Sequence, residues 1–117
     1  MPEKKYDFSM CQLGGFIYII SGRDFSQEIV ETCERYSIEE DSWSSIASVN
    51  RGRYAASSAG MEKNQKIYLF GGRKGENNQM LDEIEVYSIR EDKWSLLNLK
   101  TPTIWTPVEV CAVIPIS

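Results

Sequence analysis

The chain has 117 residues, enough for one domain, and its 42% hydrophobic and 26% charged residues are ordinary for a globular protein. A net charge of −4 and a pI near 4.9 argue against a nucleic-acid or anionic-membrane surface, and the absence of histidine removes His-dependent hydrolases and His-ligated metal sites. No apolar run approaches the roughly 18 residues of a membrane span, and residues 1–10 lack the apolar stretch of a signal peptide, so a cytoplasmic protein without membrane contact is expected.

The chain repeats itself. "IYIISGR" at 17–23 returns as "IYLFGGR" at 67–73, and "ERYSIEEDSWS" at 34–44 returns as "EVYSIREDKWS" at 85–95, so the period is about 50. Within each repeat, short runs rich in Ile, Val, Tyr and Phe are broken by Gly, Asn, Asp and Ser, the pattern of successive antiparallel strands. The first repeat predicts strands over 8–13, 16–21, 31–37 and 42–46. The second predicts them over 54–60, 66–71, 83–88 and 93–97, and a further apolar run, "VEVCAVIPI" at 108–116, stands where a third repeat would open. No segment carries a helical period over 11 residues.

The turns have their own chemistry. Gly14 and Gly15 suit a tight hairpin, because glycine takes positive φ without steric cost, and Gly71 and Gly72 suit a close backbone approach. "EEDSW" and "REDKW" set acidic turn residues just before a tryptophan that enters the fourth strand. Consecutive carboxylates on such a turn splay apart and read as solvated rather than metal-binding. Cys11, Cys33 and Cys111 are widely spaced and read as reduced core thiols, and no cofactor is expected. "GGRKGEN" is no phosphate loop, since it lacks the GxxxxGK[ST] spacing.

A hydrophobic strand ending in a double glycine, a tyrosine about 15 residues on and a tryptophan about 7 after that resembles the Kelch repeat. The double glycine falls on Gly71–Gly72 and, with a serine in the first place, on Ser21–Gly22; the tyrosines are Tyr36 and Tyr87, and the tryptophans Trp43 and Trp94. The resemblance implies an all-β fold of Kelch-type β-propeller blades, each a four-stranded antiparallel sheet. About two blades and the first strand of a third are present: an N-terminal segment at 1–7, repeat one at 8–50, repeat two at 51–101 and the start of repeat three at 102–117. A propeller closes its ring with about four to eight blades, so an apolar sheet face is expected to stand open at each end. The remaining blades of a longer propeller, or self-association, would cover them.

In a meander of four antiparallel strands, loops 22–30, 47–53, 72–82 and 98–104 fall at one end. They hold six cations (Arg23, Arg51, Arg53, Arg73, Lys74 and Lys100) against four anions, whereas the opposite turns are net acidic. The small residues of "RGRYAASSA" suit the innermost strand, which places Arg53 at the mouth of the central channel with Arg23 and Arg73 beside it. Arginine with aromatic and amide neighbours is the composition of binding hot spots. The candidate partner-binding residues are therefore Arg23, Arg51, Arg53, Tyr54, Arg73, Asn77 and Asn78, and the expected ligand is a protein loop carrying carboxylates or a phosphate. Arg23, Arg53 and Arg73 stand at positions that look like the family's ligand-contacting arginines.

The resemblance implies a non-catalytic protein-interaction module, such as substrate recognition for a ubiquitin-ligase adaptor. Two alternatives stay open: an actin-associated or other scaffolding propeller, and part of a propeller enzyme completed by further blades.

Overall fold

The computed structural model describes residues 4–74, 79–81 and 83–100. The strand expected at 108–116 and the amides Asn77 and Asn78 lie outside them. The first blade is a four-stranded antiparallel sheet of β1 (Ser9–Leu13), β2 (Phe16–Ile20), β3 (Cys33–Ser37) and β4 (Ser42–Ile46), in chain order. The second is built alike from β5 (Ser57–Met61), β6 (Lys66–Phe70), β9 (Glu83–Ser88) and β10 (Lys93–Lys100). Between β6 and β9 the chain makes a small extra ladder, β7 (Arg73–Lys74) with β8 (Gln79–Met80), inside a span the sequence reads as loop. No helix occurs among the described residues.

The strand ends differ from expectation where the backbone turns left-handed. Ala55 has a φ of +56°, which an L residue leaves the β region to reach, so β5 starts at Ser57 and not at Tyr54. Tyr54 instead forms a separate antiparallel bridge with Arg73. Ser21, standing where the second repeat has Gly71, has a φ of +54°. Its hydroxyl donates to Val30 O at 2.6 Å and accepts from Arg53 N at 2.8 Å, and these bonds hold a conformation glycine would reach more easily. The hairpin at Gly14 and Gly15 has positive φ at both residues, which matches the right-handed twist of the flanking strands. At Gly72 a Cβ would stand 2.8 Å from the Ala56 Cβ, so only glycine lets the chain pass there.

Packing follows from register. Cα pairing sets Tyr36 opposite Trp43 and Tyr87 opposite Trp94, and their ring centroids lie 5.1 and 5.0 Å apart. Tyr87 and Trp94 turn toward the first blade, where Leu13, Tyr18, Ile20 and Cys33 meet Ile67 and Leu69 in the main core. Fully burying a side chain such as Leu or Ile contributes about 1.5–3 kcal/mol, so this seam between the blades is the chief apolar stabilisation. The innermost strands run side by side: Ser9 Oγ donates to Ala56 O at 2.8 Å, Ser58 Oγ to Met10 O at 3.2 Å, and a Cβ on Gly60 would sit 3.3 Å from that of Leu13. Small residues in β5 are what allow it.

The two outer faces are unequal. On the first blade Tyr36 and Trp43 are half-buried and Met10 is exposed. On the second, Tyr68, Phe70 and Ile84 form a buried cluster, while Leu97, the Cα partner of Ile84, is exposed.

Trp94→Ala is expected to lower the unfolding free energy by about 3–5 kcal/mol, as truncation of a buried aromatic does, with Arg90→Ala on the exposed turn costing under about 0.5 kcal/mol. Urea unfolding of the two variants checks this, and equal losses would mean that the register is wrong.

Candidate functional site: the loop end of the two blades

Antiparallel topology brings residues 22–30, the connector 47–53 and residues 72–74 and 79–81 to one end, together with Tyr6 and Asp7 ahead of β1. The candidate residues do not behave alike there. Arg73 is exposed and its backbone exchanges two hydrogen bonds with Tyr54. Arg51 pairs with Glu83, Nε to Oε2 at 3.0 Å. Tyr54 is buried beneath Arg23.

Arg53 is the main correction. Its side chain is 0% exposed and points between the strands of the second blade, not to the mouth of a central channel. Nη2 donates to Glu85 Oε2 at 3.0 Å, Nη1 to the carbonyls of Glu83 (3.0 Å) and Gly71 (3.2 Å), and Nε to Arg51 O at 3.3 Å. Burial lowers the arginine pKa and the charge of Glu85 opposes that shift. A fully desolvated ion is tolerable only when paired and hydrogen-bonded, and the fork of the guanidinium meets that demand. Three converging surface guanidinium groups are therefore not present.

Glu85 is the partner that reading from residue types alone misses. Its carboxylate also accepts from Asn50 N (2.8 Å), Asn50 Nδ2 (3.1 Å) and Arg51 N (2.8 Å), so one anion ties the blade-to-blade connector to β9. A signal for it existed, because Glu34 and Glu85 occupy the same place in "ERYS" and "EVYS". Two further bonds fix the connector: Trp94 Nε1 donates to Ala47 O at 2.8 Å, and Ala47 N donates to Asp92 Oδ1 at 2.9 Å. The hydroxyl of Tyr87 donates to the same Asp92 oxygen at 2.6 Å, and this bond, with that from Ala47, holds the Asp92 carboxyl below its usual range. The acidic turn is thus structural on the second blade.

Arg23 is clamped as well. Its Nη2 donates to Asp7 Oδ2 at 2.6 Å, which raises its pKa, and its guanidinium carbon lies 4.1 Å from the Tyr54 ring centroid and 5.0 Å from that of Tyr6. Beside Tyr6 stands Phe25, with ring centroids 6.0 Å apart and planes inclined by 21°. Phe25 is 72% exposed, the most exposed large apolar side chain among the described residues. No group of three or more potential metal ligands occurs among the described residues. Cys11 and Cys33 are free, and burial pushes both thiols up to about 11, which makes them poor nucleophiles.

Removing one member of a buried ion pair leaves the other unpaired, so Arg53→Ala is expected to lower stability by about 3–5 kcal/mol, against under about 1 kcal/mol for Arg51→Ala at its half-exposed pair. Thermal or chemical unfolding of both variants measures this. An Arg53→Ala protein as stable as the parent would return Arg53 to the surface.

The Kelch motif matches residues 4–50 and 58–98. A Kelch-repeat protein of Dictyostelium discoideum is 31% identical over 81 residues, which is 69% of this chain and 12% of that protein. An F-box/kelch-repeat protein of Arabidopsis thaliana is 29% identical over 93 residues (77% of this chain, 23% of that one), and Kelch-like protein 36 of Bos taurus is 35% identical over 92 residues (74% and 15%). The chain thus spans less than a quarter of the length of each of these relatives. Among solved structures, that of YjhT superposes with a TM-score of 0.71 at 20% identity, covering 87% of this chain and 29% of that one. Motif, blade topology and relatives agree: the chain belongs to the Kelch-repeat family.

Proposed function

We propose that these blades act as a non-catalytic protein-interaction module that presents its loop end to a partner protein. The observation that carries the reading is that this end holds exposed large side chains on a rigid base. Phe25 and Met80 are 72% and 45% exposed, and Arg73, the strand partner of Met80, is exposed as well. Aromatic residues, methionine and arginine are enriched at protein interfaces, and a preorganised base limits the entropy lost on binding. Behind them, Arg23 is fixed by Asp7 and two tyrosines, and the connector by Glu85.

In this reading an acidic or phosphorylated loop meets the lip of the second blade, where Arg73 is exposed and Lys74 half-buried, whereas Arg53 is buried out of reach. The Kelch-like and F-box/kelch-repeat relatives support a module that recognises substrates for a ubiquitin-ligase adaptor in the cytoplasm. Free cysteines suit that reducing compartment.

Reversing Arg73 and Lys74 to Glu in the full-length protein is expected to abolish capture of its main partner without loss of fold, whereas reversing Glu39 and Glu40 on the opposite turns leaves capture intact. Affinity purification with quantitative mass spectrometry, and circular dichroism as the folding control, decide it. Loss of the partner from the turn variant alone would place binding at the other end.

A further inference from the structure

We infer that the ring of Phe25 is a platform for a guanidinium group, so that the partner meets the first blade through an arginine side chain. This rests on the use of the loop end for protein binding and names the chemistry of one half of it.

The loop that carries Phe25 is closed on itself. Asp24 N donates to Glu28 O and Gln27 N to Asp24 O, both at 2.9 Å, while Asp24 Oδ1 accepts from Ser26 N (2.8 Å) and Glu28 N (3.0 Å). Arg23 and Ile29 form an antiparallel bridge at its base. An exposed phenylalanine on a mobile loop would be unremarkable; here the aspartate holds the tip in one shape with the ring outward. Its ring contact is Tyr6, and behind Tyr6 the chain of contacts continues to the Arg23 guanidinium and the Tyr54 ring. The lip therefore already stacks one guanidinium on aromatic faces.

Charge selects the next layer. The positive charge of Arg23 is taken up by Asp7, which leaves Asp24 and the exposed Glu28 as the unbalanced charges of this loop. An anionic ligand is repelled here, a neutral apolar group gains the ring alone, and a cation gains the ring face and the negative charge of the loop. A guanidinium fits better than an ammonium, because it is planar, weakly hydrated and able to stack while its edge binds carboxylate. The first blade's share of the loop end is thus acidic and aromatic.

The test uses the full chain, ¹⁵N-labelled, titrated with blocked Gly-Arg-Gly amide and with the same peptide carrying citrulline, which keeps the planar shape without the charge. The amides of Ser26, Gln27 and Glu28 are expected to shift saturably with the arginine peptide and at least threefold more weakly with citrulline. Phe25→Leu, which keeps apolar bulk at an exposed site, and Glu28→Gln are each expected to weaken arginine binding at least twofold, with the rest of the spectrum unchanged. Equal binding of citrulline, full binding by Phe25→Leu, or shifts of these amides with Gly-Glu-Gly amide would overturn the assignment. If the arginine peptide fails while reversal of Arg73 and Lys74 still abolishes partner capture, the platform is wrong and the interaction reading stands; if both fail, both are wrong.

Discussion

The structure depends on how one buried carboxylate is satisfied. Glu85, on β9 of the second blade, accepts bonds from the backbone of Asn50 and Arg51 in the connector and from the guanidinium of Arg53. A carboxylate at 0% exposure is costly unless its oxygens are filled, and here the groups that fill them belong to the segment leading from one blade to the next. The same anion therefore closes the second blade internally through Arg53 and fixes the path by which the first blade enters it. Apolar contact alone would hold two sheets together without choosing their relative position as narrowly.

The first blade shows the same device in a weaker form. Lys5 stands in the role of Arg53: its Nζ donates to Thr32 O at 2.8 Å and lies 3.5 Å from Glu34 Oε1, as Arg53 reaches Glu83 O and Glu85. A lysine brings a point charge rather than a fork, and Glu34 Oε1 accepts no hydrogen bond. The two repeats thus share a plan at their cation–carboxylate pairs and differ in how completely the carboxylate is satisfied. Ser21 shows a second local difference, a left-handed residue held by hydroxyl bonds where the other repeat uses glycine.

Much of the fold was legible in the sequence, and for a physical reason. Strand alternation, a double glycine and an acidic turn ahead of tryptophan are local signals, and their recurrence at a fixed spacing turned weak signals into eight strands that match the two sheets closely. What was not legible depends on burial. Arg53 in "RGRYAASSA" looks like a surface cation by residue type, and only the carboxylate of Glu85, 32 residues on, shows that it is interior. The ladder of β7 and β8 is two residues per strand, too short for a period, and the late start of β5 follows from the left-handed Ala55. At the loop end, the candidate arginines were read from composition, whereas the outward ring of Phe25 stands on a loop closed by hydrogen bonds that composition does not display.

The central claim is that the connector is locked by Glu85 rather than draped over the blades as an ordinary surface loop. Native-state hydrogen exchange of the Asn50 and Arg51 amides tests it most directly, because both N–H groups lie in a connector and would otherwise face solvent. The account predicts that both exchange as slowly as core amides of β6 and β9, and that Glu85→Gln speeds them selectively. Exchange of Asn50 and Arg51 at the rate of the exposed turn at 62–65 would contradict it.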